Sequence, residues 1–280
     1  MQKLLVVDGS NLLFQMFYGM PARIIGKRGK PIHGTLGFIG ALLKIIRRET
    51  PTHVVVLFDG EHQNERGQID ADYKANRPDF SGMFEEETPF SQLNDIYAAL
   101  AYLKIPHVET TVCEADDVVA AYAYRYGKQM QVRILSFDSD FFQLVTDTVA
   151  VLRYRGDNTV LCDEGYVKEK FGVPASLYAD WKCLVGDASD NVKGVRGIGP
   201  KTAAALLNEF QSLSALLENA ERIKKPSIKE ALLSSKERLA KNCALIRLNG
   251  CAALPFLIDE LAYTFGGERT GEVLLALGIK

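Results

Sequence analysis

The sequence predicts an α/β fold with a mostly parallel central sheet, and three observations carry that prediction. Short apolar runs rich in β-branched residues recur through the first half of the chain, continuous rather than alternating, as in strands covered on both faces. Segments of helical spacing separate them, which is the order a parallel sheet with crossover helices requires. Three of the runs also end on an aspartate, as KLLVVDG, HVVVLFDG and QVRILSFD do.

In order, strands are expected at 3–9, 53–60, 131–138 and 150–154, with a weaker one at 105–109. Helices are expected at 34–48, 89–103, 115–126 and 139–145. Beyond about residue 175 the pattern becomes helical and loop-like, with no convincing strand. There GVRGIGPKTAAALLNEF (194–210) reads as a glycine-punctuated turn entering a helix, with Pro200 at the first helical position. KKPSIKE (224–230) is a polar break before another helix. The expected division is an α/β core over 1–175 and a helical region over 176–280.

Composition narrows the class. The 280 residues are 47% hydrophobic and 24% charged, ordinary for a globular protein. MQKLLVVDGSN has too short an apolar run for a signal peptide or membrane span, so a cytoplasmic location is expected. Five cysteines without C-x-x-C spacing read as reduced thiols, and four scattered histidines argue against a zinc site. A formal charge of −2 argues against simple coating of nucleic acid, but leaves room for a nucleic-acid enzyme with concentrated acids.

The acids are concentrated. Asp8, Asp59 and Asp138 end predicted strands, where open parallel sheets form their sites. EADDVVAA places Glu114, Asp116 and Asp117 at the start of a helix; FDSDFFQLV adds Asp140, and LVGDASDN adds Asp187 and Asp190. Singly, several have local readings: Asp187 and Asp190 with Ser189 as caps or turn residues, and Asp8-Gly9-Ser10-Asn11 as a strand-to-helix turn. Converging carboxylates would repel one another without cations, and all-oxygen donors suit Mg²⁺ or Mn²⁺. Together they fit two-metal phosphodiester chemistry, in which ions ~4 Å apart activate water and clamp the attacking and leaving oxygens. Direct contact is expected for Asp116.

Basic elements complement them. In YKANR, Lys74 and Arg77 would share a face if helical, reaching a scissile phosphate, while Tyr73 would meet an unstacked base; a solvated surface is the alternative. In GVRGIGPKT, Gly197 and Gly199 allow close backbone approach, and Lys193, Arg196 and Lys201 flank N–H groups around Thr202 that can bind phosphate.

VDGSN, FD, YKANR, EADD, DSDFFQLV and GDASDNVKGVRGIGPKT, in that order and spacing, resemble the 5′ nuclease (flap endonuclease) family, which includes the 5′→3′ exonuclease region of bacterial DNA polymerase I. The resemblance covers nearly the whole chain, and with no polymerase region following it implies a free-standing bacterial member. It implies a PIN-like core, a helical arch at about 60–104 and a helix–two-turn–helix motif at about 183–210. The implied activity is metal-dependent hydrolysis of DNA at 5′ ends, flaps and single-strand/duplex junctions, in replication and repair, by a monomer. By motif, Asp8, Asp59, Glu114, Asp116, Asp117 and Asp138 would serve one Mg²⁺, and Asp138, Asp140, Asp187 and Asp190 a second, with Mn²⁺ as substitute. Arg66, Lys74 and Arg77 would lie in the arch, and the 194–202 turn is where the family often binds K⁺.

The chain departs from the family pattern at Cys113, at Phe137 and in the acidic segment FSGMFEEETPF, which bear on arch shape and substrate preference. Two rivals remain: a PIN-type ribonuclease and a non-catalytic DNA-junction-binding protein.

Overall fold

The computed structural model describes residues 2–60, 65–77, 80, 82–111 and 113–280, the side chains of 65 and 85 excepted. β1 (Lys3–Asp8) runs directly into α1 (Gly9–Gly19), and α2 (His33–Glu49) returns the chain to β2 (His53–Asp59). The short α3 (Glu65–Ile69) and then α4 (Leu93–Tyr102) precede β3 (His107–Thr110) and α5 (Ala115–Tyr126). β4 (Gln131–Leu135), β5 (Val149–Arg153), β6 (Val160–Cys162) and α6 (Glu164–Phe171) follow. Next come α7 (Tyr178–Val185), the small ladder of β7 (Gly186–Asp187) and β8 (Val192–Lys193), and α8 (Pro200–Phe210). The remaining helices are α9 (Leu213–Glu218), α10 (Pro226–Ser234), α11 (Lys236–Ile246) and α12 (Thr270–Ala276).

The main sheet has the order β3-β2-β1-β4-β5-β6, with the first five strands parallel and β6 antiparallel to β5. Successive side chains of β1 enter opposite cores: Leu4 and Val6 pack with α5 and the later helices, Leu5 and Val7 with α1, α2 and α4. That two-sided burial explains why the strands read as unbroken apolar runs. At the β1–α1 junction a side chain on Gly9 would meet the Phe58 ring at 2.6 Å, so glycine is required there.

The later helices share the larger core: Trp181, Leu207 and Leu245 belong to the same cluster as Leu4 and Val6. The end of the chain also returns to the α/β layer. Tyr122 donates to the Phe256 carbonyl at 2.9 Å, Tyr263 N–H to the Thr52 carbonyl at 2.8 Å, and Val273 of α12 packs in the α2-side core.

The expected elements are present, with differences that have local causes. The strand expected to reach 138 stops at Leu135, because side-chain hydrogen bonds from Ser136 and Asn11 take over the following backbone. Residues 140–144 form a 3-10 rather than an α-helix, and 89–92 form a 3-10 turn leading into α4. β6, β7 and β8 were not legible, the last pair lying where no strand is expected; at two or three residues each they leave no periodic signature. Gly186 (φ +85°) and Asn191 (φ +59°) make the reversals around that ladder. The arch expectation falls partly on 61–64, 78–79 and 81, outside the described residues, whereas α4 packs in the core through Ile96, Ala99 and Leu100. No described helix is long and apolar enough to cross a membrane.

Candidate active site

β1 and β4 are neighbours in space, but the chain leaves β1 outward to β2 and β3 before returning to β4. Connections therefore diverge at this pair, and a crevice opens beyond its carboxyl ends. A cavity of about 520 Å³ occupies this end of the sheet. Asp8, Asp59, Asp116 and Asp138 line it, together with Arg77 and the rings of Phe14, Phe80 and Phe90.

Short-range hydrogen bonds build the acidic wall. Asp8 caps α1, its Oδ1 accepting the Asn11 N–H at 3.0 Å, while its Oδ2 accepts the Ser136 hydroxyl at 2.8 Å. The Ser136 Oγ in turn accepts the Asp138 N–H at 2.9 Å. Asp59 Oδ1 accepts the Ala115 N–H at 2.8 Å, so the acid at the end of β2 holds the first turn of α5. The strand-to-helix turn at Asp8-Gly9-Ser10-Asn11 is thus both a cap and part of the acidic wall.

The carboxylates are held against their own repulsion. Burial pushes Asp8 up to about 7, and the charges of Asp59 and Asp138 add to the rise. Asp116 lies well above the ordinary carboxylate range, from burial first and then from Asp138 and Asp59. Four oxygen-donor groups in one cleft, two of them resisting ionisation, fit a hard divalent cation that would restore the charge balance.

A second acidic group lies alongside. Ligand-capable oxygens of Asp140, Asp187 and Asp190 all fall within 4.8 Å of one another. Asp138 joins the two groups, since its Oδ1 accepts the Asp140 N–H at 2.8 Å. Burial pushes Asp190 up. Burial also raises Asp187, but Lys182 and the Ser189 hydrogen bonds outweigh it and leave this carboxyl below its ordinary value.

The remaining acids of EADD are engaged by arginine and lysine. Glu114 Oε2 accepts from Arg66 Nη1 at 2.6 Å and Lys74 Nζ at 2.9 Å. Asp117 Oδ1 accepts from Arg66 Nη2 at 2.8 Å and the Asn249 N–H at 2.7 Å. Neither Glu114 nor Asp117, both expected among the metal ligands, lines the cavity or joins the trio.

YKANR is not a continuous helix but two successive turns, closed by Tyr73 N–H to Asp70 O and Arg77 N–H to Lys74 O, both at 3.0 Å. Lys74 has φ +57° and donates its N–H to the Asp190 carbonyl at 3.0 Å, while Arg77 Nη2 lies 3.3 Å from Asp190 Oδ1. Asn76 and Asn191 add reciprocal bonds to Ala188 O and Asp72 O, interlocking YKANR with GDASDN. Tyr73 does not serve as an open base platform: its ring is 8% exposed and packed in the core, with Lys74 above it. The aromatic surface at the cavity is instead Phe14, Phe80 and Phe90, with centroids 5.5–5.9 Å apart in edge-to-face pairs. Phenylalanines within the otherwise acidic FSGMFEEETPF were the available signal.

In the glycine turn, buried Val195 and Ile198 anchor a loop whose Lys193, Arg196, Gly197, Gly199 and Lys201 are exposed, with Thr202 half-buried. Gly197 has φ +86°, and no side chain caps the start of α8. These N–H groups and flanking bases are open to an anion.

The shared pattern of the 5′-3′ exonuclease N-terminal resolvase-like domain matches residues 3–172, and that of the 5′-3′ exonuclease C-terminal SAM fold matches 173–266. The chain belongs to the 5′-3′ exonuclease family. A 5′-3′ exonuclease of Aquifex aeolicus is 35% identical over 249 residues, covering 89% of this chain and 82% of its own. DNA polymerase I of Rhizobium leguminosarum is 36% identical over 266 residues, 92% of this chain but 26% of the polymerase. The chain thus spans about a quarter of that relative's length. Among solved structures, the T5 D15 protein co-crystallised with metal ions superposes at a TM-score of 0.73 with 23% identity, over 89% of this chain and 90% of its own. The catalytic core of Rad2 in complex with DNA substrate superposes at 0.58 with 17% identity, over 99% and 93%. Both likenesses establish the fold of this 5′-3′ exonuclease family member.

Proposed function

We propose that the chain is a metal-dependent 5′ nuclease, a 5′→3′ exonuclease and structure-specific flap endonuclease that hydrolyses DNA phosphodiesters near single-strand/duplex junctions. The observation that carries this reading is the convergence of Asp8, Asp59, Asp116 and Asp138 at the sheet's switch point, beside the Asp140–Asp187–Asp190 trio. The DNA-bound Rad2 core and the T5 flap endonuclease, solved with DNA and metal ions, support DNA as the substrate.

The two acidic groups would each hold one Mg²⁺, with Mn²⁺ able to substitute, and Asp138 shared between them. Bound there, the ions would supply Lewis-acid chemistry, activating water and neutralising charge on the phosphoryl oxygens. Arg77 lines the cavity and pairs with Asp190, and Lys74 pairs with Glu114 of the same EADD turn that carries Asp116; from there they would orient the scissile phosphate and offset its developing charge. Phe14, Phe80 and Phe90 form a dry face against which an unpaired base would stack, excluding bulk water. The 194–202 turn, with Lys193, Arg196 and Lys201, would grip the duplex backbone by phosphate contacts and hold a K⁺ ion. The α/β part through about residue 175 would carry most of the catalytic acids, and the helical part would add Asp187 and Asp190 and grip the duplex. The protein would act as a cytoplasmic monomer.

The test compares 5′-flap DNA, blunt duplex, single-stranded DNA and RNA, each in Mg²⁺ or EDTA. Mg²⁺-dependent cleavage of flap and duplex ends is expected, and Asp140→Ala or Asp187→Ala should abolish it. Cleavage of RNA alone would favour a ribonuclease, and binding without cleavage a junction-binding protein.

A further inference from the structure

Lys182 has no role in the reading above, yet it is one of the most enclosed charged groups in the protein, at 4% exposure. It lies in the last turn of α7, where Lys182 O accepts the Gly186 N–H, and Asp187 follows at once in β7. The turn is fixed: a side chain on Gly186 or Gly194 would meet backbone atoms at 2.3 and 2.1 Å, and Asn242 of α11 donates to Cys183 O at 2.8 Å and Lys193 O at 3.0 Å. The helix end therefore delivers the ammonium directly into the acidic trio, where Lys182 Nζ forms ion pairs with both Asp140 and Asp187. Asp190, the third member, faces Arg77 instead.

A buried ammonium among carboxylates does the electrostatic work of a bound cation, cancelling repulsion that would otherwise drive Asp140 and the 187–190 turn apart. It also places a positive charge on the oxygens that a second metal ion would use. In the first group no lysine or arginine is ion-paired to Asp8, Asp59, Asp116 or Asp138 among the described residues; Lys74 acts on Asp116 only from its pair with Glu114.

We propose that Lys182 is a built-in counter-ion of the second carboxylate cluster: it holds Asp140, Asp187 and Asp190 assembled in the metal-free protein and competes with the divalent ion for Asp140 and Asp187. It is a positioning residue for the cluster. Its ammonium must swing off those oxygens when the ion enters, so the second ion binds more weakly than the first. The proposal rests on the two-ion reading of the site, but concerns the order and strength of occupancy rather than the chemistry.

The test uses Lys182→Met, which keeps the length and apolar stem of the side chain and removes its charge. Mn²⁺ binding is followed by calorimetry and by the paramagnetic resonance signal of free ion, without DNA, and melting is recorded in EDTA and in saturating Mn²⁺. The variant should melt below the parent in EDTA, match it in Mn²⁺, and bind the second ion about tenfold tighter or more, as expected for removing one adjacent like charge at low dielectric. Lys182→Met combined with Asp140→Asn removes one charge of each sign, and should recover stability in EDTA even if the single variant fails to fold there. Unchanged or weaker binding of the second Mn²⁺ in a protein that still takes two ions would overturn the proposal alone. So would a melting deficit that persists in Mn²⁺ or in the charge-matched double variant. Uptake of a single ion by both proteins would remove the two-ion reading itself, and the proposal with it.

Discussion

Asp117 offers a test that separates a structural carboxylate from those proposed to bind metal. Its side chain and that of Arg66 are about nine-tenths buried, and its Oδ1 receives two hydrogen bonds, from Arg66 at 2.8 Å and the Asn249 N–H at 2.7 Å. Asp117→Ala removes one charge-assisted bond, worth ~1.5–3 kcal/mol, and strands an amide at a further ~1–3 kcal/mol. Arg66 keeps Glu114 at 2.6 Å, so the full penalty of an unpaired buried charge is avoided. The expected loss is about 3–5 kcal/mol for alanine and roughly half that for Asn, which retains an acceptor oxygen. Urea unfolding in EDTA measures the loss, and Mg²⁺ calorimetry on the folded variant should find affinity within about threefold of the parent, under 1 kcal/mol. Parental stability combined with a tenfold or greater loss of Mg²⁺ affinity would refute the reasoning and return Asp117 to the ligands.

In EDTA, stability should fall as pH rises from about 4 to about 7, because Asp8 holds its proton to about 7 in the fold and to 3.8 in the ordinary carboxyl; Mg²⁺ should flatten that slope. A pH-independent melting temperature in EDTA over that window would contradict the buried, repelled state of Asp8. Lys74→Ala should bind flap DNA normally but cleave it about 10²–10³-fold more slowly, by single-turnover kinetics, whereas full-rate cleavage would remove its catalytic role. Phe14→Ala should weaken binding of single-stranded 5′ ends by ~1–3 kcal/mol in a fluorescence titration and leave blunt-duplex binding unchanged; equal loss on both would show mere misfolding of the cavity wall.

β1 and β2 were readable because both are covered on both faces, so nearly every residue is apolar until the acid at the rim, whereas β4 carries Gln131 and Arg133 among its apolar residues. The convergence of Asp8, Asp59 and Asp138 followed from strand polarity, whereas Asp116 enters from the first turn of α5. Partnerships were not readable. Asp117 meets Arg66 across 51 residues and Asn249 across 132, and nothing local in EADD distinguishes it from Asp116. Tyr73 reads as a surface aromatic because it sits among charged neighbours, yet the turn directs its ring into the core. Nothing local in WKCLVGD marks Lys182 as buried, and only its ion pairs with Asp140 and Asp187 reveal that it points inward.

The return of the chain end to the α/β layer bears on synthesis. The Thr52 carbonyl waits for Tyr263, the Tyr122 hydroxyl for Phe256, and the core over α2 for Val273. A chain of 175 residues would hold every strand of the main sheet but leave both of its faces incomplete. The α/β layer therefore completes its packing only once residues 256–273 have been made, and apolar surface stays exposed in the interval.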